Sequence, residues 1–132
     1  MNVLTRELQA SLSPVTVGEA GELAAIITFG PEFSGFKGHF PGNPVLPGAC
    51  LVQAVLVMLA AQKRSPVTLK RIVSAKWFVP VRPGAELRFV CVERKDRLIE
   101  TAVSAQVMCG ETRVADLSLL VRCGENGKDS PA

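Results

Sequence analysis

The chain has 132 residues, 48% of them apolar and 20% charged, with a formal net charge of +3. That length and balance suit one globular domain with a core of its own and exclude a disordered chain. The mild charge, six phenylalanines, one tryptophan and no tyrosine offer neither a basic surface nor a stacking platform for nucleic acid.

The first residues, MNVLTRELQA, carry Arg6 and Glu7 where a signal peptide would need an apolar centre. The hairpin that follows is read from residues 15–17 and 22–29, turning at Gly18 and Gly21. Residues 30–48 then form a connection with five glycines and four prolines. A loop of that length inside a compact domain is more often functional than not.

A helix is predicted from about Pro47 to about Lys63. Proline suits a first helical position, where its missing N–H is no loss. The helix is apolar on every face, so it must be buried on every face. Lys63 and Arg64 place cations at the negative end of its dipole. Its apolar run, residues 49–61, is broken by Gln53 and is too short to span a bilayer.

The remainder reads as β. Residues 67–79 hold a strand that stops at Pro80, and Pro83-Gly84 turns the chain. Strands over 86–93, 98–108 and 113–121 follow, with short turns at Lys95-Asp96 and Cys109-Gly110. Leu87, Phe89 and Cys91 share one strand face opposite Arg88, and Ala115, Leu117, Leu119 and Val121 form a similar stripe. A core over about residues 15–122 is expected, with a polar tail at 124–132.

Cys50, Cys91, Cys109 and Cys123 lack the C-x-x-C or Cys/His spacing of a metal site. They read as free thiols in a reducing compartment, which points to the cytoplasm, and Cys50 on the first turn of the helix is a candidate to line a pocket. One buried helix with five or six antiparallel strands is an α+β layout. A single sheet curved around the helix leaves part of it uncovered, and a second subunit is the expected cover.

Chemistry is concentrated in Gly38-His39-Phe40-Pro41-Gly42-Asn43-Pro44-Val45-Leu46-Pro47-Gly48, which holds the only histidine of the chain. This segment resembles the signature of the hotdog-fold β-hydroxyacyl-(acyl carrier protein) dehydratases, G-H-F-P-G-x-P-x-x-P-G. The stretch over residues 75–87, A-K-W-F-V-P-V-R-P-G-A-E-L, is similar to the K-F-x-x-P-V-x-P-G-D-x-L of that family. The resemblance covers roughly residues 15–122 and does not extend to the first dozen.

The resemblance implies a hotdog fold, a homodimer or dimer-based oligomer, and elimination of water from a β-hydroxyacyl thioester to give the trans-2-enoyl thioester. Acyl carrier protein or CoA would carry the acyl group. No metal, redox cofactor, membrane or nucleic acid is implied. By the same resemblance His39 is the base that removes the α-proton, and the N–H at Gly48 holds the thioester carbonyl. Phe36, Phe40, Gly42, Pro47 and Ala49 would border the substrate.

A neutral imidazole is a suitable base near pH 7. A helix N-terminus offers unpaired N–H groups to a developing enolate oxygen.

The departure from the family is Gln53, which stands five residues after Gly48, where the family has Glu or Asp. Glutamine has no proton to give at pH 7, though it can hydrogen-bond a β-hydroxyl or hold a water. General-acid help is worth about 10²- to 10⁴-fold, so the replacement implies a slow dehydratase. Glu32, upstream in the same loop, is the best substitute carboxylate. Lys63, Arg64, Lys70, Arg71, Lys76 and Arg82 are read either as a solvated charged face or as a rim for an acidic carrier protein. Two alternatives stand beside the dehydratase: a non-catalytic acyl-thioester binder or inactive half of a hetero-oligomer, and a hotdog thioesterase.

Overall fold

The computed structural model describes residues 2–37, 42, 44–95 and 100–124. It begins with a helix that the sequence reading did not contain, α1 (Val3–Ser11). The side chain of Asn2 caps it, accepting from Thr5 N at 2.8 Å. Leu4 and Leu8 are one turn apart on a common face, and Leu8 is fully buried. The core therefore reaches upstream of residue 15.

Strands β1 (Thr16–Val17) and β2 (Leu23–Phe29) form the expected hairpin, closed where Gly18 N–H donates to the Glu22 carbonyl at 2.8 Å. A 3-10 turn at Ser34–Phe36 interrupts the long connection. Helix α2 spans Gly48–Lys63, with Pro47 as its N-cap rather than its first helical residue. The fixed φ of proline serves the cap equally well.

Four long strands follow: β3 (Val67–Trp77), β4 (Ala85–Lys95), β5 (Glu100–Cys109) and β6 (Thr112–Cys123). The six strands form one antiparallel sheet in the order β1-β2-β4-β5-β6-β3. The predicted turn at Lys95-Asp96 falls partly outside the described residues, and the polar tail lies outside them beyond Gly124.

Strand alternation brings one face of the sheet onto α2. Leu87, Phe89, Cys91, Ala115, Leu117, Leu119 and Val121 are all buried in the core with Ala54, Val55, Met58 and Leu59 of α2. Each such fully buried Val, Leu or Phe contributes about 1.5–3 kcal/mol of transfer free energy. Arg88, on the opposite face, is exposed as its position in the alternation requires. Helix α2 is not buried all round: Ala49 is exposed, and Gln53, Leu56 and Ala60 are half-buried. Among the described residues no helix is long and apolar enough to cross a membrane.

Strand β3 lies at the sheet edge and bulges between Leu69 and Arg71 and between Ile72 and Ser74. Its outer side carries Ile72 at 47% and Val73 at 55% exposure.

Candidate active site

An open groove of about 510 Å³ runs between the start of α2 and the segment that leaves β3. Gly48, Ala49 and Leu51 line one side with Val45 and Leu46, and residues 77–81 line the other. A hydrogen bond from Leu46 N to the Val81 carbonyl, at 2.8 Å, ties the two sides together. Phe78 N donates to the Val114 carbonyl at 2.8 Å, and the guanidinium of Arg113 stands 5.0 Å from the centre of the Phe78 ring.

Three large apolar residues in a row, Trp77-Phe78-Val79, cannot all face a core from extended chain. Here all three are exposed along the groove wall, at 49%, 45% and 37%. That run lies within the residues 75–87 singled out from the sequence, where it was read as strand and turn rather than as a groove wall.

At Gly48 the helix start packs against the indole of Trp77. A Cβ on this residue would stand 2.8 Å from the Trp77 ring, so only glycine lets the indole pack against the helix start. Among the described residues no side chain caps α2; the Cys50 N–H of its first turn donates to the Pro47 carbonyl at 3.0 Å. Ala49 is exposed in the same groove, Pro47 is half-buried at its edge, and Gly42 is exposed with φ of 83°, a conformation that favours glycine.

His39 and Phe40 lie outside the described residues. Phe36 is only 6% exposed and packs edge-on against Phe33, with ring centres 6.2 Å apart. It belongs to the core and is not among the residues lining the groove. Cys50 is likewise buried, with its thiol beneath Gly35, and burial pushes its pKa up. The helical face that carries Cys50 points away from the groove. Cys91 is buried as well, its thiol pushed up to about 12 by desolvation first and the nearby Glu93 second. None of the four cysteines is in a disulfide.

Gln53 stands one helical turn beyond Ala49. Its side-chain partner is Thr5 of α1: Gln53 Nε2 donates to Thr5 Oγ1 at 3.2 Å. Glu32 is exposed and lines a different cavity together with Glu7, Thr28 and Phe33. It does not supply the groove with a carboxylate. Glu7 is engaged by Ser34, accepting from its backbone N–H at 2.8 Å and from its hydroxyl. Those two bonds hold the Glu7 carboxyl below its ordinary pKa. Of the cationic residues, Lys63 pairs with Glu93 at 2.8 Å.

Comparison with known proteins places these features in context. A family model described as ApeI-like, ApeI dehydratase, matches residues 16–112. The 3-hydroxyacyl-[acyl-carrier-protein] dehydratase FabZ of Lactiplantibacillus plantarum is 34% identical over 113 residues, covering 79% of this chain and 76% of that protein. The FabZ of Lactobacillus helveticus is 32% identical over 117 residues, 79% of this chain and 75% of the relative. Among solved structures, the dehydratase heterocomplex ApeI:P from Xenorhabdus doucetiae superimposes with a TM-score of 0.69. It is 18% identical, with 84% of this chain and 96% of that chain covered. The fold is thus the hotdog fold expected from the motifs.

Proposed function

The chain belongs to the ApeI-like dehydratase family, and from that membership we propose that it eliminates water from β-hydroxyacyl thioesters, carried by acyl carrier protein or CoA, to give trans-2-enoyl thioesters. The observation that carries this reading is the unbroken G-H-F-P-G-N-P-V-L-P-G sequence ending at the first residue of α2, Gly48, which lines the groove.

In this reading the thioester carbonyl accepts hydrogen bonds from the first N–H groups of α2, Gly48 foremost. The positive end of the helix stabilises the enolate that forms when the α-proton leaves. His39 takes that proton. The Cβ–O bond then breaks, and the electron pair of the enolate closes the double bond. The departing hydroxide needs one proton to leave as water. Gln53 cannot give it, and the proton just taken by His39 is available to do so, which regenerates the imidazole. Gln53 contributes a hydrogen bond to the β-hydroxyl. Phe40, Gly42, Pro47 and Ala49 border the acyl group.

The reading includes a second copy of the chain along the free edge of β3. An eleven-residue edge strand with Ile72 and Val73 exposed supports it, because such an edge invites pairing unless covered. Cysteines outside any disulfide support a cytoplasmic location.

A second reading has this chain as the weak or inactive half of a mixed oligomer. It is favoured by Gln53 at the place of the acid, and the ApeI:P neighbour is itself a dehydratase heterocomplex. Enoyl-thioester absorbance from a purified β-hydroxyacyl thioester tests the first reading. Binding of the thioester without turnover would favour the second.

A further inference from the structure

Helix α1 meets α2 at Gln53, on the stripe of Ala49, Gln53, Leu56 and Ala60 that the sheet leaves partly open. A nine-residue helix of mixed composition does not hold its shape unaided. Here it is anchored on three sides. Asn2 caps the backbone of Thr5, Leu8 is fully buried, and Glu7 binds Ser34 of the connection after β2. Thr5 therefore stands at a fixed place when its hydroxyl oxygen receives the amide of Gln53 at 3.2 Å.

A glutamine side chain has rotors to spare, two N–H donors and one carbonyl acceptor. With one N–H held by Thr5, the carbonyl oxygen and the second N–H are set in one orientation. An untethered amide on a half-open helix face would sample several rotamers, and each fixed rotamer carries an entropic cost.

We infer that Thr5 is a positioning residue for Gln53, holding the amide so that its remaining groups meet the β-hydroxyl of the substrate. The identity of that substrate rests on the dehydratase reading; the hold on the amide does not. The same contact bears on a carboxylate at position 53. The Thr5 hydroxyl would donate to it, favour its charged form and make it a poorer general acid.

The test compares Thr5→Val and Thr5→Ser with wild type, using β-hydroxyacyl-CoA as substrate. Thr5→Val should lower kcat by about two- to tenfold, the worth of one hydrogen bond, with KM changed less. Thr5→Ser should restore kcat. In parallel, the side-chain amide signals of Gln53, assigned by their loss in Gln53→Ala, are followed by nitrogen-15 NMR. One N–H should exchange slowly with solvent in wild type and Thr5→Ser and rapidly in Thr5→Val. If exchange does not depend on Thr5, the inference is overturned whatever the turnover. Equal losses of kcat in Thr5→Ser and Thr5→Val would also overturn it, by assigning Thr5 a purely structural role. Thr5-dependent exchange in a wild-type protein without turnover would support the hold on Gln53 and contradict the dehydratase reading alone.

Discussion

The indole of Trp77 lies so close to Gly48 that a Cβ on that glycine would stand 2.8 Å from the ring. The contact joins the start of α2 to the end of β3 across the groove. Two opposed effects follow for Gly48→Ala. At a first helical residue alanine gains at most the helix-interior value of about 0.5–1 kcal/mol over glycine. Crowding a packed contact costs about 1–3 kcal/mol. Gly48→Ala should therefore destabilise the wild type and stabilise a Trp77→Ala background. Urea midpoints of the four proteins measure this, and a loss of equal size in both backgrounds would exclude the indole as the cause.

Glu7 makes a second prediction, about pH. Its hydrogen bonds to Ser34 lower its folded pKa below the ordinary 4.5. A depressed carboxyl pKa contributes stability that is present above the unfolded value and lost as pH falls through the folded one. Glu7→Gln should thus be less stable than wild type at pH 7, with the gap narrowing as the solution is acidified below the carboxylate range. Denaturant midpoints at pH 7 and pH 3 give the comparison, and a gap independent of pH would contradict the assignment.

The strands were legible because their alternation is strong: Leu87, Phe89 and Cys91 against Arg88 could be placed on opposite faces from the sequence, and the structure buries the first three. Helix α2 was legible from its apolar run, broken only by Gln53, and the single sheet leaves Ala49 exposed and Gln53 half-buried, the part for which a second subunit is the expected cover. Helix α1 was not read, since nine residues give little periodicity, yet Asn2 with Leu4 and Leu8 carried the cap and the spacing. Phe36 was placed at the substrate on the family resemblance. Its burial against Phe33 depends on a 3-10 turn that no local pattern announced. The Thr5–Gln53 contact joins residues 48 positions apart, beyond the reach of any motif.

The edge of β3 yields the third prediction. A charge at Val73, which is 55% exposed at a bulge, should weaken pairing with a second copy without disturbing the core. Light scattering at micromolar concentration should give a dimer for wild type and a shift toward monomer for Val73→Glu, with the thermal transition retained in a dilution series. A wild-type monomer would refute a cleft shared between subunits.

Gln53→Glu restores a carboxyl at the helix position where the family carries one. Desolvation beside α2 raises its pKa and keeps it partly protonated, while the Thr5 hydroxyl pulls the other way. Turnover should rise by at least about tenfold, the conservative side of the general-acid range. A general acid must be protonated, so the rate falls as pH rises through its pKa. Removing the donor raises that pKa, and the falling limb of the pH profile should move to higher pH in Thr5→Val/Gln53→Glu. A Gln53→Glu protein slower than a fast wild type would show the glutamine to be a working residue.

The most direct measurement is enoyl-thioester formation from β-hydroxyacyl-CoA and from the matching acyl carrier protein thioester, with wild type and His39→Ala side by side. The account predicts turnover by wild type and none by His39→Ala, with thioester binding kept in both. Equal rates in the two proteins, or binding with no turnover in either wild type or Gln53→Glu, would contradict it.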